Sequence, residues 1–160
     1  MRSRIVATLL LASLVGCSSG KVLMDGAKLR EFAARYTAAW CSQNAASVAS
    51  FFADGGSLKI NEGVPAVGRA AITVAAQGFM TAFPDMIVTM DSIIPERDRA
   101  IYHWTLTGTN TGPAGTGKAV RISGYEEWTI GNDGLIAKSL GHFDEAEYQR
   151  QLKVGGASNP

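Results

Sequence analysis

Two cysteines and two histidines in 160 residues leave little material for metal or thiol chemistry. Neither a Cys-x-x-Cys nor a His-Glu-x-x-His spacing occurs, so the chain offers no metal site of the usual ligand patterns and no metal is expected. The one Gly-x-Ser-x-Gly match, Gly16 to Gly20, follows an N-terminal apolar run and does not join a strand to a helix, which removes the common serine-hydrolase arrangement. An excess of one charge is lacking too: 15 Lys and Arg stand against 14 Asp and Glu. With no basic stripe or cluster, nucleic acid is excluded as a partner. No stretch reaches the ~20 apolar residues that a membrane-spanning helix needs. One stretch imitates a motif without meeting its terms. Gly112 to Lys118 copies a phosphate-binding loop, but Ala119 stands where Ser or Thr would bind Mg²⁺. The β-rich residues 120–130 that follow are not the helix whose N-terminus would hold phosphate, so the segment reads as a hairpin loop.

What is present begins at the N-terminus. Arg2 and Arg4 precede an uncharged, largely apolar run from Ile5 to Val15, which leads into Gly16, Cys17 and Ser18. That is the charged, apolar, small-residue order of an export signal. Leu14-Val15-Gly16-Cys17 resembles the lipobox of bacterial lipoproteins. The resemblance implies cleavage after residue 16 and acylation of Cys17 as lipid attachment site, which tethers the protein to a membrane. Ser18 after the cysteine resembles sorting to the periplasmic face of the outer membrane in Gram-negative relatives. The expected location is therefore the cell envelope, with residues 1–16 the signal peptide and residues 17–24 the tether. Loss of Arg2 and Arg4 leaves 13 basic and 14 acidic residues, a mature net charge of −1. With Cys17 spent on the anchor, Cys41 has no partner for a disulfide and reads as a small buried hydrophobe beside Trp40.

The mature chain has the size of one domain, placed at residues 25–153, with residues 154–160 a disordered Gly/Ser/Asn tail. Leu29, Phe32, Ala33, Tyr36 and Trp40 recur at helical spacing, and Val48, Phe51 and Phe52 repeat the pattern after Ser42-Gln43-Asn44. Residues 57–61 read as a short strand. Ile72, Ala75, Ala76, Phe79 and Phe83 form a third helical stripe that Pro84 stops. The period then becomes strand-like over residues 86–94, 100–108, 119–130 and 135–143, with a short helix over 145–152. The order α-α-β-α-β-β-β-β-α predicts an α+β fold in which a strongly curved antiparallel sheet buries one face under helices.

Several short motifs keep an order that resembles the SnoaL-like polyketide cyclase family of the nuclear-transport-factor-2-like superfold. They are Ala39-Trp40, Phe51-Phe52-Ala53-Asp54, Gly68-Arg69-Ala70-Ala71-Ile72 and Phe83-Pro84-Asp85, then His103-Trp104, Gly108 to Gly112, Asp133 to Ile136, Asp144 and Gln151-Leu152. The resemblance implies a cone-shaped sheet packed by three N-terminal helices. Its mouth admits a small apolar ligand or substrate, the assembly is a homodimer, and no cofactor is used. It also implies that Asp144 acts as general acid and base in a cyclisation, isomerisation or lyase-type reaction. A carboxyl group in an apolar cone has its charged form disfavoured and can exchange a carbon-bound proton.

The developing enolate needs a donor, and His142, His103, Tyr102 and Trp104 are the candidates. Tyr102 and Trp104 face one side of the sheet and His103 the other. Trp40, Phe52, Phe79, Phe83 and Trp128 complete the expected ligand-binding wall. Two alternatives stay open. Asp144 also fits a helix N-cap with Glu147 at the third position, and an inward Glu126 beside Trp128 is a rival acid. Where family members carry a His-Trp pair before the aspartate, this chain has Ser139 and Leu140. A non-catalytic ligand-binding or protein-interaction module of the envelope is the second reading of the same fold.

Overall fold

The structure is a computed structural model describing residues 24–156. The expected signal peptide, Cys17 and nearly all of the expected tether lie outside the described residues. Met24 packs against the core. Helix α1 spans Gly26–Cys41 and α2 Ala45–Ala49. Strand β1 is Phe52–Ile60, β2 Ala66–Val67, and α3 Arg69–Ala82. Strands β3 Ile87–Pro95, β4 Ala100–Thr109, β5 Ala119–Ile130 and β6 Ile136–Phe143 follow, and α4 is Glu145–Val154. Helices α1 and α2 start where side-chain oxygens satisfy free N–H groups. Asp25 accepts from the Ala27 and Lys28 amides, and Asn44 from that of Ser47.

One six-stranded sheet runs in the order β2-β1-β6-β5-β4-β3. Its pairs are antiparallel except β1 with β6, which is parallel. A parallel pair needs a long connection, and the whole of α3 through β5 supplies it. The inner face is covered by α1 and α3, and the core between is strongly aromatic. The Tyr36 ring lies 5.1 Å from Trp128 and 5.6 Å from Tyr102, which stacks on Trp128 at 4.7 Å.

Four expectations need correction. Phe52 is not part of the second helix, which ends at Ala49; it is the first residue of β1. That strand begins earlier than residue 57, and its register with β6 shifts between Phe52 and Ser57, where Gly55 and Gly56 lie. A side chain at Gly56 would approach the Ile136 carbonyl to 2.7 Å, so β1 reaches β6 only with glycine there. Cys41 is exposed, not buried, its Sγ exchanging hydrogen bonds with the Val88 backbone at 3.2 and 3.3 Å. The C-terminal residues stay attached further than expected. Helix α4 runs to Val154, and the Gly156 amide donates to the Ala119 carbonyl at 2.6 Å. The segment 110–118 joins β4 to β5 as a hairpin loop, pinned by Asn110, which accepts from the Thr116 amide and donates to the Ala82 carbonyl.

Candidate ligand cavity

Strand β5 alternates its side chains, and Glu126 falls on the inner face, paired in register with Tyr102 of β4 and Gly141 of β6. It is 6% exposed. Its Oε2 accepts three hydrogen bonds, from Ser139 Oγ at 2.6 Å, Trp128 Nε1 at 2.8 Å and Tyr36 Oη at 3.1 Å. Oε1 has one long contact, 3.3 Å from the same Tyr36 hydroxyl. Burial raises the Glu126 pKa and outweighs the three donors that lower it. A proton on neutral Glu126 therefore belongs on Oε1, since Oε2 has no room for a further hydrogen.

Glu126 contributes to the wall of a cavity between the sheet, α1, α3 and α4. The void encloses about 660 Å³ of space between atoms, open mouth included, of which about 60 Å³ admits the centres of water-sized groups. It suits a small molecule and not a bulky one. Aliphatic side chains and the rings of Trp40, Phe79, Phe83, Tyr102 and Trp104 make up most of the lining, closed at the α4 side by Phe143 and Tyr148. Two residues of this wall carry polar hydrogens with different partners. The Thr37 hydroxyl donates to the Ala33 carbonyl, so at 2.7 Å it can only accept from Tyr102, whose proton is thereby occupied. The Trp104 Nε1–H is buried and has no partner, a state that costs about 1–3 kcal/mol.

The sequence candidates divide sharply. Trp40, Phe79, Phe83, Tyr102, Trp104 and Glu126 meet at the cavity. Trp128 lies beneath it and holds Glu126, while Phe52 is fully buried beside Tyr36. Asp144 is corrected: it is exposed and caps α4, accepting from the Glu147 amide at 2.9 Å. Phe143 takes the inward place at the end of β6, and the next residue turns out to begin the helix. His103 and His142 are corrected as well, because both lie on the outer face, flanking Tyr125 at ring distances of 5.8 and 4.8 Å. His142 Nε2 is 3.5 Å from Glu127, too long for a hydrogen bond. Glu127 is the outward member of the acidic pair and binds Arg99.

Tyr36, Ser139, Phe143 and Tyr148 were not anticipated at the site. Ser139 drew notice only as the replacement of a family histidine, yet it makes the shortest bond to Glu126. Among the described residues no group of three His, Cys, Asp or Glu side chains converges to hold a metal.

A curved sheet closed by helices over an apolar void with one buried acid defines a protein of the nuclear-transport-factor-2-like cone class. A family model described as SnoaL-like polyketide cyclase matches residues 30–152, and the chain belongs to that family. No curated protein matches it. Among solved structures, TsrD from Streptomyces laurentii is 20% identical, with a TM-score of 0.71 over 81% of this chain and 98% of that one. A protein of ketosteroid isomerase-like fold from Catenulispora acidiphila, solved with trimethylamine, is 16% identical, with a TM-score of 0.67 over 76% and 91%. A putative SnoaL-like polyketide cyclase from a Jannaschia species is 13% identical, with a TM-score of 0.64 over 79% and 94%. These likenesses are of fold.

Proposed function

We propose that the cone binds a small apolar carbonyl compound and moves a proton on it through Glu126, in a cofactor-free cyclisation or isomerisation. The observation that carries this reading is the asymmetry of the carboxyl group of Glu126, a residue of the cavity wall: one oxygen is saturated by three donors and the other has a single long contact. Ionised Oε1 takes a proton from the carbon next to the carbonyl. The C–H electron pair moves into the new carbon–carbon double bond, and the carbonyl oxygen gains the negative charge. Trp104 lines the cavity with its N–H buried and unpartnered, and a turn of its ring would bring that donor to the oxygen. Enolate carbon then attacks a second carbonyl of the substrate, whose π pair moves onto its oxygen and takes the proton back from Glu126, or the enolate recovers that proton at another carbon; either way Glu126 is left ionised. Family membership supports a small-molecule role, and the Catenulispora protein holds trimethylamine in the same fold. Asp144 is left with a capping role.

Solvent exchange tests the assignment. The full chain, incubated in D₂O with a panel of small cyclic ketones, will introduce deuterium next to the carbonyl of those that fit. Glu126→Gln will lower that exchange by about 10²-fold or more, and Asp144→Asn will leave it within about twofold. Exchange that survives Glu126→Gln, or is lost in Asp144→Asn, sinks the reading.

We further propose that Cys17 carries the lipid and that two copies pair through the outer sheet face, where Ile87, Ile94 and Tyr125 are exposed. The unaltered chain will pellet with membranes, and Cys17→Ser will release a species that sediments as a dimer. A soluble unaltered chain counts against the anchor, and a monomeric released species against the pairing.

A further inference from the structure

The cavity wall carries a charge preference of its own. Phe83, Tyr148, Phe143 and Trp104 form a continuous ring chain, with successive centroids 6.4, 5.5 and 6.3 Å apart. Trp40 and Phe79 add a second pair at 6.2 Å. Among the described residues no lysine, arginine or histidine lines the void, and Glu126 is its one carboxyl group. Aromatic faces carry partial negative charge and attract cations. An anion entering here meets those faces and a carboxyl group with no countercharge. A hard cation loses its water and finds few oxygens to replace it. A cation with a methylated surface keeps apolar contact with the rings and brings its charge to Glu126.

We propose that the cavity takes a small, singly charged alkylated ammonium ion, its methyl groups against the aromatic wall and its charge beside Glu126 Oε1. This rests on the void being a ligand site and not on the proton transfer. Glu126 is well prepared for it, because Ser139, Trp128 and Tyr36 already hold the carboxylate and burial alone resists the charge. The cation supplies what burial withholds, so its binding draws the proton off Glu126. The other titratable groups facing the site are Tyr36 from α1, Tyr102 from β4 and Tyr148 from α4. Burial pushes all three phenols up, so they stay protonated while Glu126 titrates.

Calorimetric titration of the full chain compares three molecules of one shape: choline, its neutral carbon analogue 3,3-dimethylbutan-1-ol, and the anion pivalate. Choline will bind about tenfold or more tightly than the alcohol once Glu126 is ionised, and pivalate will bind least. Choline affinity will rise with pH, and its heat will vary with the buffer as a proton is released. Glu126→Gln, checked for folding by circular dichroism, will erase the advantage. Should that variant misfold, the pH dependence and proton release of the unaltered chain decide alone. Equal affinity for choline and the alcohol, a pH-independent choline affinity, or an advantage intact in Glu126→Gln overturns the inference. Binding of the alcohol without choline overturns it while the ligand cavity stands; binding of none of the three overturns both.

Discussion

Replacing Glu126 by leucine will destabilise the domain by about 3–5 kcal/mol, a fall in Tm of about 10 °C or more. Leucine fills a similar volume, so the loss is not one of packing. It arises because Tyr36 Oη, Trp128 Nε1 and Ser139 Oγ, all buried, lose their acceptor together. Each stranded donor costs about 1–3 kcal/mol, with incomplete additivity because the three share one site. Glutamine is the informative contrast. Its carbonyl oxygen can take the place of Oε2 and keep all three bonds, while its amide takes the place of Oε1, so Glu126→Gln will cost about 1 kcal/mol or less.

The two side chains also part company with pH. Burial raises the Glu126 pKa in the folded state above its ordinary value of 4.5. A raised carboxyl contributes stability that is fully present below the unfolded pKa and is lost as pH rises through the folded one. The Tm of the unaltered protein will therefore fall relative to Glu126→Gln as pH increases from about 4.5. Thermal melts of both proteins across pH 4 to 8 read this directly, and a flat difference between them contradicts a desolvated Glu126.

Much of this architecture was legible because periodicity reports burial. The stripe of Leu29, Phe32, Ala33, Tyr36 and Trp40 marks α1, and the change to alternation after Pro84 marks the sheet. The alternation also stated that Tyr102 and Trp104 share a face opposite His103, and only the packing of α1 decided which face was inside. Register across three strands was not legible, and the site depends on it. Tyr102, Glu126 and Gly141 become neighbours through two pairings that no local pattern encodes. Asp144 misled for a related reason. An aspartate before Glu145 and Glu147 satisfies a family position and a helix cap equally well, and the free amide of Glu147 in the first turn of α4 claims its side chain.

Gly124→Ala will show how far that register is tuned to Trp104. Glycine inside a strand ordinarily weakens it, and its presence points to a close approach. Gly124 sits opposite Trp104 on β4 and Phe143 on β6. A methyl group there would meet the His142 carbonyl oxygen at 2.4 Å and Trp104 Cζ2 at 2.6 Å. The first contact is with β6 backbone and can yield only by spreading two paired strands. The second lies along an indole edge that forms part of the cavity wall and is itself packed near Phe143. Overpacking of this kind costs about 1–3 kcal/mol, and here the ladder is disturbed as well, so a loss of about 2–4 kcal/mol is expected in urea denaturation. The near-ultraviolet circular dichroism will change as Trp104 is displaced, and ligand affinity will fall with it. Gly141→Ala is the control, since its methyl group meets Lys59, Glu126 and Ile60 atoms at 3.5 to 3.9 Å, ordinary contact distances. A Gly124→Ala protein with unchanged stability and an unchanged aromatic spectrum would show that Trp104 is not held by this contact.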